Sequence, residues 1–406
     1  MIVKNIALLG QKDHGKSTLI GQLLMQTGAA TKVRIKEAQE YSKRQGKAFE
    51  PAFILDSFTE ERLNEMTYDT TRAEIKHRGI AFALIDVPGH EELIKNMISG
   101  ASYGELALLL VSAKKGEGIA DQTKRHLFIA RMLGIERLVV AVNKMDTRDY
   151  EEEAFEAVKE GLSRFISKMG FSGADVRFVP ISAYKGEGLT RRSKAMRWYR
   201  GKPLIDVLYE NAKRGGVKRE GALRIIVQGK IPGAKADLVA GRVVSGSVRV
   251  GDRVVVLPQG SKARVDGISV KGARAGVGRA GENVALALTG YLPKDMRGTL
   301  MAGAAHTPRI TERVRLKIFV TGAFGKSMRV KFNGITIPCK NVRVLRTINT
   351  VTGEANDSRK PRVLDAVEAD VTLSRGVPVE DPAITKELGR FVLYNGDKFA
   401  GIGILE

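Results

Sequence analysis

The stretch GQKDHGKS, residues 10–17, stands between a predicted strand and a predicted helix. Its Gly10, Gly15, Lys16 and Ser17 satisfy the pattern G-x-x-x-x-G-K-[ST]. In that context the main-chain amides of the loop and of the helix N-terminus cradle phosphates. Lys16 would bridge the β- and γ-phosphates, and the Ser17 hydroxyl would ligate Mg²⁺. The stretch predicts a phosphate-binding loop and does not by itself identify the nucleotide.

A second polar segment follows a later apolar run. The sequence DVPGH occupies residues 86–90. Asp86 can hold the Mg²⁺ shell, and Gly89 can offer its main-chain amide to a γ-phosphate because no side chain is in the way. This segment predicts a sensor of the third phosphate.

Two more strand ends carry polar groups, NKMD at residues 143–146 and SAYK at residues 182–185. Open α/β sheets bind ligands at the carboxyl ends of their strands. A carboxylate such as that of Asp146 can accept from both N1–H and the 2-amino group of guanine, which adenine cannot match. The base is therefore predicted to be guanine. The residues expected to bind it are Asn143, Lys144, Asp146, Ser182 and Ala183.

The pattern of apolar residues changes along the chain. Up to about residue 201, short β-rich runs alternate with helical stretches at 122–133 and 151–168, which indicates a parallel α/β sheet. After about residue 223, short alternating strands separated by Gly, Pro and Asn turns indicate β-barrels or sandwiches. A break at residues 304–311 divides this second half. The predicted domains are residues 1–216, 217–305 and 306–406.

The charge of the 406-residue chain is strongly basic. Lys and Arg number 67 against 45 Asp and Glu, a net charge of +22. Residues 217–346 alone hold 25 basic and 7 acidic residues, a net charge of +18. Such density favours polyanionic partners, so we expect RNA binding through the basic β domains.

Composition also excludes several classes of protein. The longest apolar run, LALLLVSA at residues 106–113, is too short to span a bilayer, and no export signal is recognisable. We expect no membrane association and a cytoplasmic location.

The single cysteine, Cys339, excludes an internal disulfide and is predicted to be a small buried residue. Trp198, in the aromatic and basic stretch at residues 191–202, is predicted to lie in the core.

The motifs taken together resemble those of translational GTPases of the elongation factor 1-alpha/Tu group. The matching segments are GQKDHGKST, DVPGHEELIKNMISGAS, VSAKKGE, VAVNKMD and ISAYKGEG, and GRVVSGSVRVGD and GRFVLYNGDKFAGIGIL resemble the two barrels. The resemblance covers the whole chain. It implies an α/β P-loop GTPase domain followed by two β-barrel domains, with GTP or GDP and Mg²⁺ as ligands.

The resemblance also implies roles for single residues. His90 would position the attacking water, Asp13 would help to neutralise phosphate charge through a monovalent cation, and Thr67 would ligate Mg²⁺ together with Ser17 and Asp86. The residues expected at the phosphates of GTP are Asp13, His14, Gly15, Lys16, Ser17, Thr18 and Gly89.

Several positions depart from the family pattern. Asn64 and Glu65 replace the Arg-Gly of switch I, so that loop is expected to differ when GTP is bound. Lys12 replaces an apolar residue that screens the histidine from the γ-phosphate. Val244 stands where carriers of aminoacyl-tRNA have a glutamate, and residues 333–335 replace the usual His-Thr-Ala. These losses weaken the case for ordinary aminoacyl-tRNA delivery.

Three functions fit the sequence. The first is a GTP-hydrolysing translation factor that acts with tRNA or a tRNA-mimicking protein on the ribosome. The second is the regulatory GTPase subunit of a sulfate adenylyltransferase-like enzyme. The segment VLPQG and the apolar residue at Val244 are similar to the sequences of such subunits. The third is a GTP-binding scaffold with little turnover, as the altered switch I would allow. The basic charge favours the first.

Overall fold

The computed structural model describes residues 2–44, 46, 48–54, 71–86, 106–214, 221–233, 237–325, 327–357 and 360–406, and for residues 2, 71, 72, 86 and 174 the backbone only. The chain forms two units, Met1–Gly215 with Thr350–Gly353, and Gly216–Asn349 with Glu354–Glu406. The predicted domain boundaries after residues 216 and 305 stay predictions.

The first unit is built on a six-stranded sheet. Its strands are β1 (Ile2–Gly10), β2 (Thr71–His77), β3 (Ile80–Asp86), β4 (Leu106–Ser112), β5 (Arg137–Asn143) and β6 (Val176–Pro180). Its α-helices, within the described residues, are α1 (Lys16–Gln26), α2 (Lys32–Arg44), α3 (Asp121–Met132), α4 (Glu152–Lys168) and α5 (Leu204–Arg214). The strand order is β2-β3-β1-β4-β5-β6, and only β2 is antiparallel to its neighbour. The predicted α/β sheet is confirmed.

Local sequence explains these elements. Every residue of β4 is buried, as a strand covered on both faces requires, and its apolar run does not alternate. Helix α4 buries Phe155, Leu162 and Ile166 along one stripe and exposes charged residues elsewhere. The helices predicted at 122–133 and 151–168 begin and end within one residue of α3 and α4.

Strand register brings the predicted loops to one edge of the sheet. Gly10 at the end of β1 pairs with Leu110 of β4, and Ser112 of β4 pairs with Asn143 at the end of β5. Because these strands are parallel, the segments that follow β1, β5 and β6 emerge side by side. The fold therefore gathers the phosphate loop and both guanine segments.

The first barrel of the second unit closes on itself. Its strands are β7 (Arg224–Ile231), β8 (Leu238–Ser245), β9 (Ser247–Arg249), β10 (Arg253–Leu257), β11 (Ser261–Val270), β12 (Ala273–Ala275), β13 (Val277–Arg279), β14 (Asn283–Gly290) and β15 (Leu300–Gly303). Six of them follow the order β10-β15-β7-β8-β14-β11, and pairing of β11 with β10 completes the ring. Strand β8 shows strict alternation between half-buried and buried residues, as a barrel wall requires.

A second closed barrel follows. Its strands are β16 (Arg309–Val320), β17 (Met328–Phe332), β18 (Ile335–Ile348), β19 (Ala355–Asn356), β20 (Ala366–Val379), β21 (Arg390–Asn395) and β22 (Lys398–Leu405). The ring runs β17-β21-β22-β16-β20-β18 and closes through the pairing of β17 with β18. The strand pattern alone fitted barrels or sandwiches, and the family resemblance implied two β-barrels. The two β-barrels are confirmed, and each closes with six strands.

The two barrels share apolar and ionic contacts. Val255 and Leu257 of β10 belong to the same buried cluster as the core of the second barrel. Arg224 of β7, whose side chain is 3% exposed, forms an ion pair with Glu380 at 2.6 Å. The Arg224 guanidinium also donates to the main-chain oxygen of His306 at 2.8 Å. Apolar burial and a hydrogen-bonded ion pair together join the barrels.

The structure corrects the predicted burial of two residues, each of which is only partly buried. Trp198 is half-buried rather than enclosed: its ring packs on Phe155 and its Nε1 donates to the main-chain oxygen of Tyr150 at 2.8 Å. Cys339 is partly exposed and packs against the core of the second barrel, and burial raises the pKa of its thiol to about 11. In the part of the chain that the structure describes, no helix has the length and apolar character needed to cross a membrane.

Candidate nucleotide-binding site

Glycine is required at both ends of the phosphate loop. Gly10 has φ +143°, and a Cβ there would lie 2.7 Å from the main-chain oxygen of Leu110. Gly15 has φ +92°, and a Cβ there would lie 2.5 Å from Nδ2 of Asn143. The loop therefore packs against β4 and the end of β5 at distances that no side chain would tolerate.

Lys16 is held inside the loop. Its ammonium group donates to the main-chain oxygens of Gly10 and Gln11, both at 3.1 Å. Ser17 and Thr18 follow in the first turn of α1, which carries no acidic residue. A cation and a helix N-terminus thus meet at one point, which is the arrangement that attracts phosphate.

His14 contributes differently from its neighbours. Its ring is 2% exposed, and Nδ1 lies 3.3 Å from the main-chain oxygen of Leu110. Burial lowers the pKa of His14 below its ordinary value, which favours the neutral ring. Because the ring faces β4, a phosphate would meet His14 through its main chain. Asp13, with φ +68°, is exposed.

Asn143 connects the phosphate loop to the second guanine segment. Its Nδ2 donates to the main-chain oxygen of His14 at 2.8 Å, and its Oδ1 accepts from the main-chain amide of Ala183 at 2.8 Å. The side chain is buried, so both hydrogen bonds are shielded from water. The predicted guanine residue Asn143 therefore fixes the relative position of two loops.

Asp146 is oriented by Ser182. The Ser182 hydroxyl donates to Oδ1 of Asp146 at 2.5 Å and accepts from the main-chain amide of Lys185 at 3.1 Å. The other carboxylate oxygen has no part in this contact. A carboxylate held in this way can face the N1–H and 2-amino donors of a guanine.

Lys144 lies beside Asp146 with φ +63°, a conformation that side chains seldom adopt. Its ammonium group forms an ion pair with Glu117 at 2.6 Å. Burial raises the pKa of Glu117, but hydrogen bonds from Lys144, Ser112 and Lys114 outweigh it and lower the pKa to about 2. The ion pair holds the ammonium group of Lys144 at the Glu117 carboxylate.

Several predicted site residues cannot be placed. Thr67, Gly89 and His90 lie outside the described residues, as do Asn64 and Glu65. Asp86 is described through its backbone: it ends β3 and pairs with Leu8 of β1, beside the start of the phosphate loop.

Sequence reasoning missed two supports of the site. Glu117 was part of a recognised segment, but only the structure pairs it with Lys144. Gln26, at the end of α1, donates to the main-chain oxygen of Gly186 at 2.8 Å and accepts from the Thr190 hydroxyl at 2.6 Å.

The fold and these loops define a protein of the P-loop GTPase class with two appended β-barrels. Residues 1–214 match the family "Elongation factor Tu GTP binding domain", and residues 237–302 match "Elongation factor Tu domain 2". The chain belongs to the elongation factor Tu/elongation factor 1-alpha family and is a translation elongation factor-like GTPase.

Full-length relatives agree with this assignment. The chain is 34% identical to elongation factor 1-alpha of Aeropyrum pernix, over 99% of this chain and 95% of that protein. It is also 34% identical to elongation factor 1-alpha of Pyrobaculum arsenaticum, over 99% of this chain and 94% of that protein. The solved structure of the bacterial selenocysteine-specific elongation factor EF-Sec has a similar fold, with a TM-score of 0.50, 24% identity, and coverage of 100% of this chain and 58% of that one.

Proposed function

We propose that this protein binds and hydrolyses GTP as a cytoplasmic translation factor that acts with tRNA or a tRNA-mimicking protein on the ribosome. The observation that carries the nucleotide part is the pair of hydrogen bonds made by the Asn143 side chain, which join the phosphate loop to the second guanine segment. Preorganised sites of this kind lose little entropy on binding.

The phosphate end is suited to Mg²⁺. A small set of protein ligands, Ser17 with Thr67 and Asp86, would leave coordination positions for phosphate oxygens and water, which Mg²⁺ prefers. Bound there, Mg²⁺ would neutralise charge on the β- and γ-phosphates.

The chain's own residues would act around the nucleotide. Lys16, held by the main-chain oxygens of Gly10 and Gln11, would contact the β- and γ-phosphates, and Gly89 would donate its amide to the γ-phosphate. His90 would orient the attacking water once a partner docks. Loss of the γ-phosphate would release the segments around Thr67 and Gly89, which is the basis of a switch.

RNA association follows from the charge. The net charge of +18 over residues 217–346 would be neutralised by the phosphates of tRNA or ribosomal RNA. Neither a sulfate adenylyltransferase-like role nor a low-turnover scaffold is favoured, because the full-length relatives described above are elongation factors.

Ribosome-stimulated hydrolysis tests the proposal. We expect GTP turnover by the purified protein to rise on adding ribosomes, and His90→Ala to remove the stimulated part while leaving GTP affinity nearly unchanged. His306→Ala, an exposed histidine in the second unit, serves as the matched control and should keep full stimulation. Stimulated turnover that His90→Ala leaves intact would refute the role of His90, and no stimulation in the unaltered protein would refute the ribosomal function.

A further inference from the structure

Two arginines of the first barrel stand directly opposite each other. Arg253 of β10 pairs with Arg264 of β11 in the antiparallel register, and both are exposed. Residues in this position have Cβ atoms about 5 Å apart, and like charges there are destabilising. The pair therefore costs stability in the isolated protein.

Within the described residues, neither Arg253 nor Arg264 forms an ion pair that would relieve this repulsion. Asp252 accepts from the main-chain amide of Arg249 at 2.7 Å, and Asp266 accepts from the hydroxyl of Thr289, the residue opposite Arg264 on β14. Neither carboxylate forms an ion pair with the two arginines, so among the described residues both guanidinium groups keep donors for a partner.

The second barrel shows the opposite arrangement. There Arg315 of β16 faces Asp370 of β20 in register, and the two form an ion pair at 2.8 Å. Arg346 of β18 pairs with Glu368 at 2.5 Å in the same way. Arg315 and Arg346 are thus each neutralised by an acid across the strand, whereas Arg253 and Arg264 face each other.

A third cation and an aromatic ring lie beside the arginine pair. Lys262 precedes Arg264 by two residues and is exposed like it, on the outward side of β11. Tyr291 follows Gly290, which pairs with Ala263 between the two cations, and its side chain is 83% exposed. An exposed ring next to cations is the combination that binds nucleic-acid strands through stacking and phosphate contacts.

We propose that this face, formed by Arg253, Lys262, Arg264 and Tyr291, binds the phosphate backbone of RNA and stacks one unpaired base on Tyr291. RNA fits better than an acidic protein because it supplies closely spaced phosphates for two adjacent guanidinium groups and a base for the ring. The inference rests on the RNA association proposed above and assigns it to one surface.

The first experiment compares two double variants with the same loss of charge. Arg253→Gln with Arg264→Gln removes the uncompensated pair, whereas Arg315→Gln with Arg346→Gln removes two arginines that are already neutralised. Binding of tRNA and of isolated ribosomal subunits is measured over a series of salt concentrations. We expect the slope of log affinity against log salt to fall by about 2 for the first variant and by less than about 0.5 for the control.

Comparing tRNA with ribosomal subunits identifies the source of the phosphates, because the salt slope changes only for the RNA that occupies this face.

The aromatic ring is tested separately. Tyr291→Ala should weaken RNA binding about tenfold, and Tyr291→Phe should retain it. Unchanged affinities and salt slopes in the Arg253/Arg264 variant would refute the assignment of RNA binding to this face while leaving the proposed function intact. If the unaltered protein bound neither RNA, both this inference and the RNA part of the proposed function would fail.

A charge reversal separates binding from folding. Arg264→Glu would place a carboxylate opposite Arg253, so we expect the melting temperature to rise while RNA affinity falls at least tenfold. A purely structural role for the pair would move both quantities in the same direction. A lower melting temperature, or undiminished RNA binding, would contradict the proposal.

Discussion

Nδ2 of Asn143 donates a hydrogen bond of 2.8 Å to the main-chain oxygen of His14, joining residues 129 positions apart. Because Oδ1 of the same side chain accepts from Ala183, one amide spans the phosphate loop and a guanine segment. The hydrogen bonds of one buried side chain therefore join the two loops.

We expect Asn143→Ala to lower the free energy of unfolding by about 2–4 kcal/mol, since two buried hydrogen bonds are lost. GTP and GDP affinity should fall together, because neither loop keeps its position. Denaturant unfolding and nucleotide titration measure the two effects. Asn211→Ala is the matched control: Asn211 is also buried, but its side-chain amide donates within α5, to the main-chain oxygen of Val207. Equal nucleotide affinity in the two variants would contradict the tether.

Two glycines of the first unit should respond differently to the same substitution. Gly15 and Gly28 both have positive φ, +92° and +71°. A Cβ at Gly28 meets nothing within 4 Å, so Gly28→Ala should cost only about 1–2 kcal/mol of backbone strain. Gly15→Ala also collides with Asn143 and should abolish GTP binding. Measurable GTP binding by Gly15→Ala would show that the loop can relax.

The base assignment makes a specific prediction. Asp146→Asn replaces an acceptor with a donor, so GTP affinity should fall and xanthosine triphosphate should bind in its place. Ser182→Ala removes the hydroxyl that orients this carboxylate, and we expect about tenfold weaker GTP binding without a change of base preference. Competition between the two nucleotides measures both variants. GTP affinity unaltered by Asp146→Asn would show that the base is read elsewhere.

Glu117 predicts a dependence on pH. Its pKa in the folded protein is lowered from 4.5 to about 2, so its ion pair with Lys144 stabilises the fold fully above pH 4.5. That contribution is lost as the pH falls from 4.5 through about 2, where the folded carboxylate takes up its proton. The stability difference between the unaltered protein and Glu117→Gln should therefore shrink over this interval. A constant difference in unfolding experiments would contradict the assignment.

The ion pair between the barrels should be sensitive to removal of one partner. Arg224→Met leaves Glu380 without its guanidinium and should cost about 3–5 kcal/mol of unfolding free energy. Adding Glu380→Leu should recover much of this loss, because no uncompensated charge then stays buried. Arg315→Met, which breaks an exposed and solvent-screened pair, should cost far less than Arg224→Met. Additive losses at Arg224 and Glu380 would argue against direct coupling.

Local sequence was sufficient wherever periodicity decides structure. The apolar run at residues 106–113 became the fully buried β4, and the helical stretch at residues 151–168 became α4. The glycine pattern likewise predicted a tight loop after β1, since positive φ at Gly10 and Gly15 demands it.

Contacts between distant segments were beyond such reasoning. Strand β2 is hard to recognise from the sequence because only half of its pattern faces the core. The hydrogen bond from the ring of its last residue, His77, to Asp206 of α5 joins positions 129 apart. The same holds for Gln26 with Gly186. The partners of these side chains lie far away in the sequence, so a short stretch of sequence does not contain both members of a contact.

The contact between the barrels has an evolutionary consequence. Arg224 and Glu380 come from different barrels, and Val255 contributes to the core of its neighbour. If one barrel were replaced by that of a relative, only one partner of the ion pair and one side of the apolar contact would be exchanged. Recombination, in nature or in chimaeric proteins, would therefore succeed when the two barrels are inherited together as one module.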